Sequence, residues 1–422
     1  VWKRDFALPR SHALFAFQLM QLTLKLIFIV TLVSCSQFSE KKKSLIPGLS
    51  KSLNMAAFKP SKNKIEIHKF FQFLHQERGF NGNVLIFDKG QLYRESYGWA
   101  DIPNQAYLKQ NAQFQIASMS KPFAALSIVQ LMREGKLKLS DTINQFFDSW
   151  PYPAITIDHL LSHTSGIPEY MNIADNYWAD SSGYLDNAGI THLFQRMKPA
   201  LYFKPGSTHD YCNSNFILLA NIIEKVTGIS YAQYIKENIA MPLGMDSTFV
   251  YQSTDSLMQQ EVKGHYGLGH CLEDHYLNGS YGDKNIWSTT TDLFRFYKGL
   301  YNPKFLNANE RKTMFTTLVR EAKIGSQYAR GWRKKIIEKD TWMYHTGWWK
   351  GFKSNLFFHI KKEYCFIVLS NKLKSASFPS EMIANFFTEN GFTEAYAYYF
   401  ETPLERAQFF SNSKRNLDSK QE

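Results

Sequence analysis

Apolar residues recur along this chain at two rhythms, and each predicts its own kind of element. Residues 69–78 follow the helical three-to-four spacing and stop at Gly79. Residues 83–87 and 91–97, joined by the turn Asp88-Lys-Gly90, read as a β-hairpin. Helical spacing returns after Ser118, with Phe123, Leu126, Val129, Leu131 and Met132 leading to a stop at Gly135. It returns again over residues 155–168, where Thr156 is placed as an N-cap and Gly166 and Pro168 punctuate the end. Further helices are predicted over 216–226, stopped by Gly228, over 231–238, and from Ser288 to about 296. The polar and aromatic residues 169–200 predict helices and loops roofing a cleft. The second rhythm, alternation, takes over in 342–352, 354–360 and 364–370 and predicts antiparallel strands of one sheet. Residues 380–410 read as helical again, and 401–422 hold a helix end and a polar tail.

The first 35 residues follow neither rhythm. A basic start at Lys25, a short apolar run over 26–33 and a small residue before Cys35 describe a secretory signal too short to span a bilayer. Leu32-Val33-Ser34-Cys35 resembles a bacterial lipobox, which implies cleavage before Cys35, lipid on its thiol and a place at the bacterial cell envelope. A plain cleaved signal or an uncleaved anchor is the alternative. Residues 36–64 then read as a polar, flexible tether, with the fold beginning near Ile65.

Composition narrows the class without changing this outline. The 422 residues, 44% hydrophobic, suffice for one large core or two ordinary ones. The formal charge of +12 would suit an anionic membrane, a cell-wall polymer or a nucleic acid. The basic residues are scattered, however, and no nucleic-acid motif gathers them, so no nucleic-acid partner is expected.

Three pieces carry candidate chemistry. Ser118 and Lys121 are three apart on a helical stretch, which brings an amine beside a hydroxyl. A serine is a weak nucleophile until a base takes its proton, and a desolvated lysine can do so. The same spacing at Ser39/Lys42, Ser61/Lys64 and Ser411/Lys414 lies in polar segments. Only Ser118 has an apolar lead-in, through Phe114 and Ile116. Tyr211 and Asn213 lie in a loop before an apolar helix, and His345-Thr346-Gly347 lies on a strand. His159 and His163 are four apart with no obvious third ligand, and residues 265–275 gather histidines, a cysteine and carboxylates without regular ligand spacing. Neither group reads as a metal site. Cys212 has no evident histidine partner and reads as a packed thiol; no spacing identifies a disulfide.

In this order and setting the three pieces resemble the serine β-lactamase and penicillin-binding-protein superfamily. The likeness is greatest to the branch with class C β-lactamases, D-alanyl-D-alanine carboxypeptidases, D-aminopeptidases and related esterases. It spans about residues 65–375 and includes Asp141-Thr-Ile, Leu160-Leu-Ser-His-Thr-Ser-Gly-Ile-Pro168, Pro242-Leu-Gly-Met245 and Ser370-Asn371. The resemblance implies an α/β fold, an antiparallel sheet flanked by helices, built from about 65–117 and 285–400, with a mostly helical lobe inserted over about 118–284. It implies that Ser118 forms an acyl-enzyme, that Lys121 and Tyr211 share the proton transfers, and that Asn213 holds the substrate amide and Lys121. His345 would line the cleft where many relatives carry lysine, with Thr346 and Gly347 beside it in the substrate-binding strand. The backbone N–H groups of Ser118 and Trp348 would form the oxyanion hole, and no metal or cofactor is required. Which of Lys121 and Tyr211 takes the serine proton stays open.

Two departures bear on the substrate. A histidine at 345 weakens the fixed positive charge that would hold a carboxylate. Trp348 and Trp349 stand where small residues are usual, and either face an apolar or sugar-bearing substrate or pack. Both move the expectation toward a peptidase or esterase acting on a small molecule or peptide. The alternatives are a true β-lactamase and, from another class, a non-catalytic penicillin-binding or sensor lipoprotein.

Overall fold

The computed structural model describes residues 55–178, 183–252, 261–267, 270–321, 325–388, 395, 398 and 399. The signal segment, Cys35, most of the tether and the polar tail lie outside the described residues.

Nine strands form the main sheet: β1 (Lys59–Pro60), β2 (Gly82–Asp88), β3 (Gln91–Tyr97), β4 (Val319–Glu321), β5 (Ser326–Tyr328), β6 (Arg333–Ile337), β7 (Asp340–Trp349), β8 (Phe352–His359) and β9 (Tyr364–Ser370). Their order is β1-β3-β2-β9-β8-β7-β6-β5-β4. Every neighbouring pair is antiparallel except β1 with β3, which is parallel. That exception corrects the expected start of the fold. Lys59–Pro60 pairs with Gln91 and Leu92 instead of belonging to a tether that ends at residue 64. The outer edge of β3 offers unpaired backbone groups, and an edge strand is where a proline is tolerated.

The helices that position the site are α1 (Lys64–Glu77), α2 (Lys121–Arg133), α3 (Ser214–Thr227), α4 (Thr290–Leu300) and α5 (Ser380–Asn385). Every residue of β9 is buried because both faces of the sheet are covered. On one face α1 places Phe70, Phe71 and Leu74 in a single core with Trp342, Tyr344, Phe357 and Phe366, and α5 adds Met382 and Ile383. On the other, Phe294 and Tyr297 of α4 pack on Phe87 and Phe358, and Phe123 of α2 stacks on Phe296 at 4.2 Å. None of the nine strands comes from residues 118–284, which contribute α2, α3, shorter helices and one strand of a separate three-stranded sheet.

One consequence of register matters most for function. β6 pairs with β7 only from Asp340 to Tyr344, whereas β7 runs on to Trp349. Past Tyr344 the outer edge of β7 is left open by β6, and the turn carrying Ser118 lies against it.

Candidate active site

Ser118 sits in a 3-10 turn, Ala117–Ser120, that runs directly into α2. Ala117 before it has φ +48°, a left-handed conformation that non-glycine residues seldom adopt, and one that clusters at functional sites. From residue 114 to 131 Ser118 is the one residue that is not buried. Gly347 on β7 fits against this turn only because it lacks a side chain. A Cβ there would lie 2.2 Å from Ile116 O and 3.0 Å from Ser118 N.

Lys121, fully buried at the first position of α2, points back at the serine. Its Nζ donates to Ser118 Oγ at 3.0 Å, to Asn213 Oδ1 at 2.7 Å and to the Asp283 carbonyl at 3.0 Å. Three acceptors match the three N–H bonds of an ammonium. Asn213 stands at the N-cap position of α3 but caps nothing there. Instead, its backbone N and its Nδ2 donate to Glu169 Oε2, at 2.9 and 3.0 Å. The Lys121 partner fixes the amide orientation, since an ammonium can only donate and so must face Oδ1, which leaves Nδ2 for Glu169. Burial pushes the Glu169 carboxyl above its usual range, against the Asn213 backbone hydrogen bond and with the charge of Asp283 adding to the rise.

Tyr211 stands between two cations, with Lys121 Nζ 5.0 Å and Arg333 Cζ 4.7 Å from its ring centre. Behind it runs a chain of hydrogen bonds. Cys212 N donates to His163 Nδ1 at 3.1 Å, which leaves Nε2 to carry the ring proton toward Tyr328 OH at 3.0 Å. The Tyr328 hydroxyl lies 3.4 Å from His345 Nε2, and His345 Nδ1 lies 2.8 Å from the Thr346 carbonyl, where only an N–H can serve. Both imidazoles are fully buried, and burial holds each well below the ordinary histidine range, so both are neutral.

His345 therefore does not line the cleft as expected. It is on the strand named, but strand alternation turns its ring inward while Thr346 beside it is exposed. The cleft, of about 640 Å³, is lined by Ser118, Tyr211, Asn213, Thr346, Gly347 and Trp348 among others. Both tryptophans line the cleft. Trp348 is 57% exposed at the cleft. Trp349 is pinned by its Nε1 bond to Asn278 Oδ1 at 2.6 Å and lies under Lys284 Nζ, 4.9 Å from the ring centre.

Sequence reasoning missed Arg333, Asp283 and Lys284, which line the cleft, and Glu169, Tyr328 and the buried role of His163. Glu169 directly follows the phrase ending in Pro168, so extending that phrase by one residue reaches it. Asp283 and Lys284 had no pattern to betray them. Lys284 is buried against Tyr170, Ser280 and Asp283, and burial lowers its pKa. The Cys212 thiol packs as expected, donating to the Ile167 carbonyl at 3.2 Å, with burial raising its pKa. Cys212, Cys271 and Cys365 are free thiols. Among the described residues no group of three or more His, Cys, Asp or Glu side chains is placed to hold a metal ion.

A central sheet flanked by helices, with a serine and a lysine at the open edge of one strand, defines a β-lactamase or transpeptidase-like serine hydrolase. Residues 68–385 match the Beta-lactamase family, and the chain belongs to it. Penicillin-binding protein 4* of Bacillus subtilis is 33% identical over 344 residues, which cover 77% of this chain and 75% of that protein. The crystal structure of a penicillin-binding protein from Bacillus halodurans superposes with a TM-score of 0.66 at 24% identity, covering 74% of this chain and 97% of that one. D-amino acid amidase from Ochrobactrum anthropi gives 0.62 at 20% identity, covering 83% and 99%. At those identities the two structures attest the fold alone.

Proposed function

We propose that this chain hydrolyses short D-amino-acid peptides or amides, or small esters, through an acyl-enzyme on Ser118. The observation that carries this is the 3.0 Å contact of Lys121 Nζ with Ser118 Oγ, inside a site that gives the amine two further acceptors. Of its three partners only the serine has a proton to give. When Lys121 has lost one proton, Asn213 Oδ1 and the Asp283 carbonyl still hold its remaining N–H bonds, and the lone pair is directed at Ser118 Oγ. The serine oxygen then bonds to the substrate carbonyl carbon as its proton passes to Lys121, directly or with Tyr211 relaying it. The oxyanion that forms is met by the backbone N–H groups of Ser118 and Trp348, each such donor being worth roughly 3 kcal/mol. The proton goes to the leaving amine or alcohol as the C–N or C–O bond breaks. Water then gives up a proton along the same route and releases the acid, restoring Ser118.

The substrate class is supported by the names of relatives, one a penicillin-binding protein and another a D-amino acid amidase. His345, neutral and buried, supplies no fixed charge of the kind a lysine there would. Arg333 in the cleft wall supplies positive charge instead. The test is turnover of an acyl-D-alanyl-D-alanine peptide, a D-amino acid amide, its L-counterpart, a p-nitrophenyl ester and a penicillin. Hydrolysis of the D-substrates or esters, lost in S118A, supports the reading. Rapid turnover of the penicillin alone would mark a β-lactamase, and an inert serine would mark a binding protein.

We further propose that the protein acts at the bacterial envelope, held by lipid on Cys35. Its support is the apolar run over 26–33 that ends in Ser34-Cys35. Incorporation of a labelled fatty acid, abolished in C35A, is the outcome this requires.

A further inference from the structure

The cleft does not end at Ser118. Register places six of its lining residues in a grid on one face of the sheet: Thr346 opposite Asn355 opposite Val368, and Trp348 opposite Lys353 opposite Ser370. By alternation this is the face of Tyr344, Phe357 and Phe366, which α1 and α5 cover elsewhere. Here the cover stops short, because α5 begins only at Ser380 and the residues before it, Ser377 and Phe378 among them, form a wall of the cleft. Polar side chains thus stand at core-facing positions over an open space.

Two of them are left incomplete by the protein itself. Asn355 is only 8% exposed, yet its Oδ1 is buried without a hydrogen-bond partner. Lys353 is half-buried, and its Nζ makes one bond, to the Ser375 carbonyl at 3.2 Å. Among the described residues no carboxylate pairs with it, and burial lowers its pKa. A partly desolvated ammonium with two N–H bonds to spare is unfavourable unless something in the cleft accepts them. One step along the same strand face the Asn355 amide, held by no hydrogen bond among the described residues, can present its Nδ2 hydrogens to the cleft as a second donor, and the exposed Trp348 gives an apolar flank.

We propose that this compartment is a carboxylate-binding subsite centred on Lys353 and Asn355, which takes an anionic arm of the substrate; the proposal rests on Ser118 being the nucleophile. Lys353 lies opposite Trp348, and Trp348 follows Gly347, which abuts Ser118 N. One strand spacing plus one residue separates the two centres, so the anion would lie roughly 10 Å from the scissile carbonyl, or about three residues of extended chain.

The test uses the full-length chain in detergent and two probe series. In the first, p-nitrophenyl hemiesters of linear dicarboxylic acids of increasing length are compared with their methyl-capped counterparts, which probes the acyl side. In the second, D-alanyl-D-alanine peptides extended on the leaving side by a carboxylate-bearing arm are compared with their carboxamides. Wild type is expected to prefer the carboxylate by about tenfold or more in kcat/KM, carried in KM, in one series and at the longer spacings. K353M brings that preference near unity, and K353R retains it; because a ratio is read, a general loss of activity does not mimic the result. No preference in wild type in either series, or a preference that persists in K353M, overturns the subsite. Fluorophosphonate labelling of the same samples separates the two readings. A labelled wild type without the preference sinks the subsite alone, whereas a wild type that takes no label sinks the nucleophile and the subsite with it.

Discussion

Glu169 grips Asn213 at two points, its Oε2 accepting from the backbone N at 2.9 Å and from Nδ2 at 3.0 Å. That grip keeps Asn213 Oδ1 turned toward Lys121 Nζ, so a residue that touches no substrate sets the geometry of the proposed base. In E169Q the remaining oxygen can still accept both bonds, and the new amide takes the place of Oε1, which has no partner in the native structure either. E169A leaves Asn213 free to turn. The rate of fluorophosphonate labelling is expected to fall roughly 10- to 100-fold in E169A, the loss of hydrogen bonds to a charged group, and by far less in E169Q. Equal losses in both would show that the charge, not the grip, matters.

Gly347 tests the closeness of β7 to the nucleophile. In G347A the new methyl meets Ile116 O at 2.2 Å and Ser118 N at 3.0 Å, so the Ser118 turn must move away from the strand. Thermal unfolding is expected to show a loss of about 1–3 kcal/mol. Labelling of Ser118 should fall by a larger factor than that loss alone explains, because a misplacement of about 1 Å suffices for 100-fold. An unchanged labelling rate would separate the turn from the strand in function.

His163 and His345 predict how stability follows pH. Burial holds both native imidazoles well below the ordinary value of 6.5, so below about pH 6.5 the unfolded chain binds protons that the native state does not. Their contribution is thus fully present at neutral pH and is lost as pH falls below 6.5, with a slope of up to about 1.4 kcal/mol per pH unit for each. Urea unfolding between pH 7.5 and 5.5 measures it. H345Q, which cannot take up the proton, should lower the slope, and an identical slope would remove His345 from the account.

How much of this was legible in the sequence follows the physics of each part. The hairpin Gly82–Asp88/Gln91–Tyr97 and the strands Asp340–Trp349, Phe352–His359 and Tyr364–Ser370 announce themselves by short, β-branched and aromatic apolar runs bounded by local turns, the run over Tyr364–Ser370 being continuous because both its faces are buried. Ser118 and Lys121 are readable because a helix fixes what three residues of spacing mean, and the structure brings Asn213 to them. The parallel edge strand Lys59–Pro60 was not readable, since two polar residues carry no period and only the open edge of β3 selects them. Nor was the inward turn of His345, which depends on the parity of a strand whose residues 342–345 are all buried. Arg333 and Lys284 reach the site by tertiary folding with no motif to mark them, whereas Glu169 lies one residue beyond the phrase ending in Pro168. Lys353 and Asn355 did leave a trace, as polar residues at the parity of Phe357.

The most direct measurement is intact-mass spectrometry of the full-length chain with a fluorophosphonate, followed by peptide mapping, with S118A and K121M alongside. One adduct per chain is expected, mapped to Ser118, absent from S118A and slowed by 100-fold or more in K121M, in line with the roughly 10²–10⁴-fold contribution of a positioned base. An adduct on another residue, or one that forms at the wild-type rate in K121M, would contradict it.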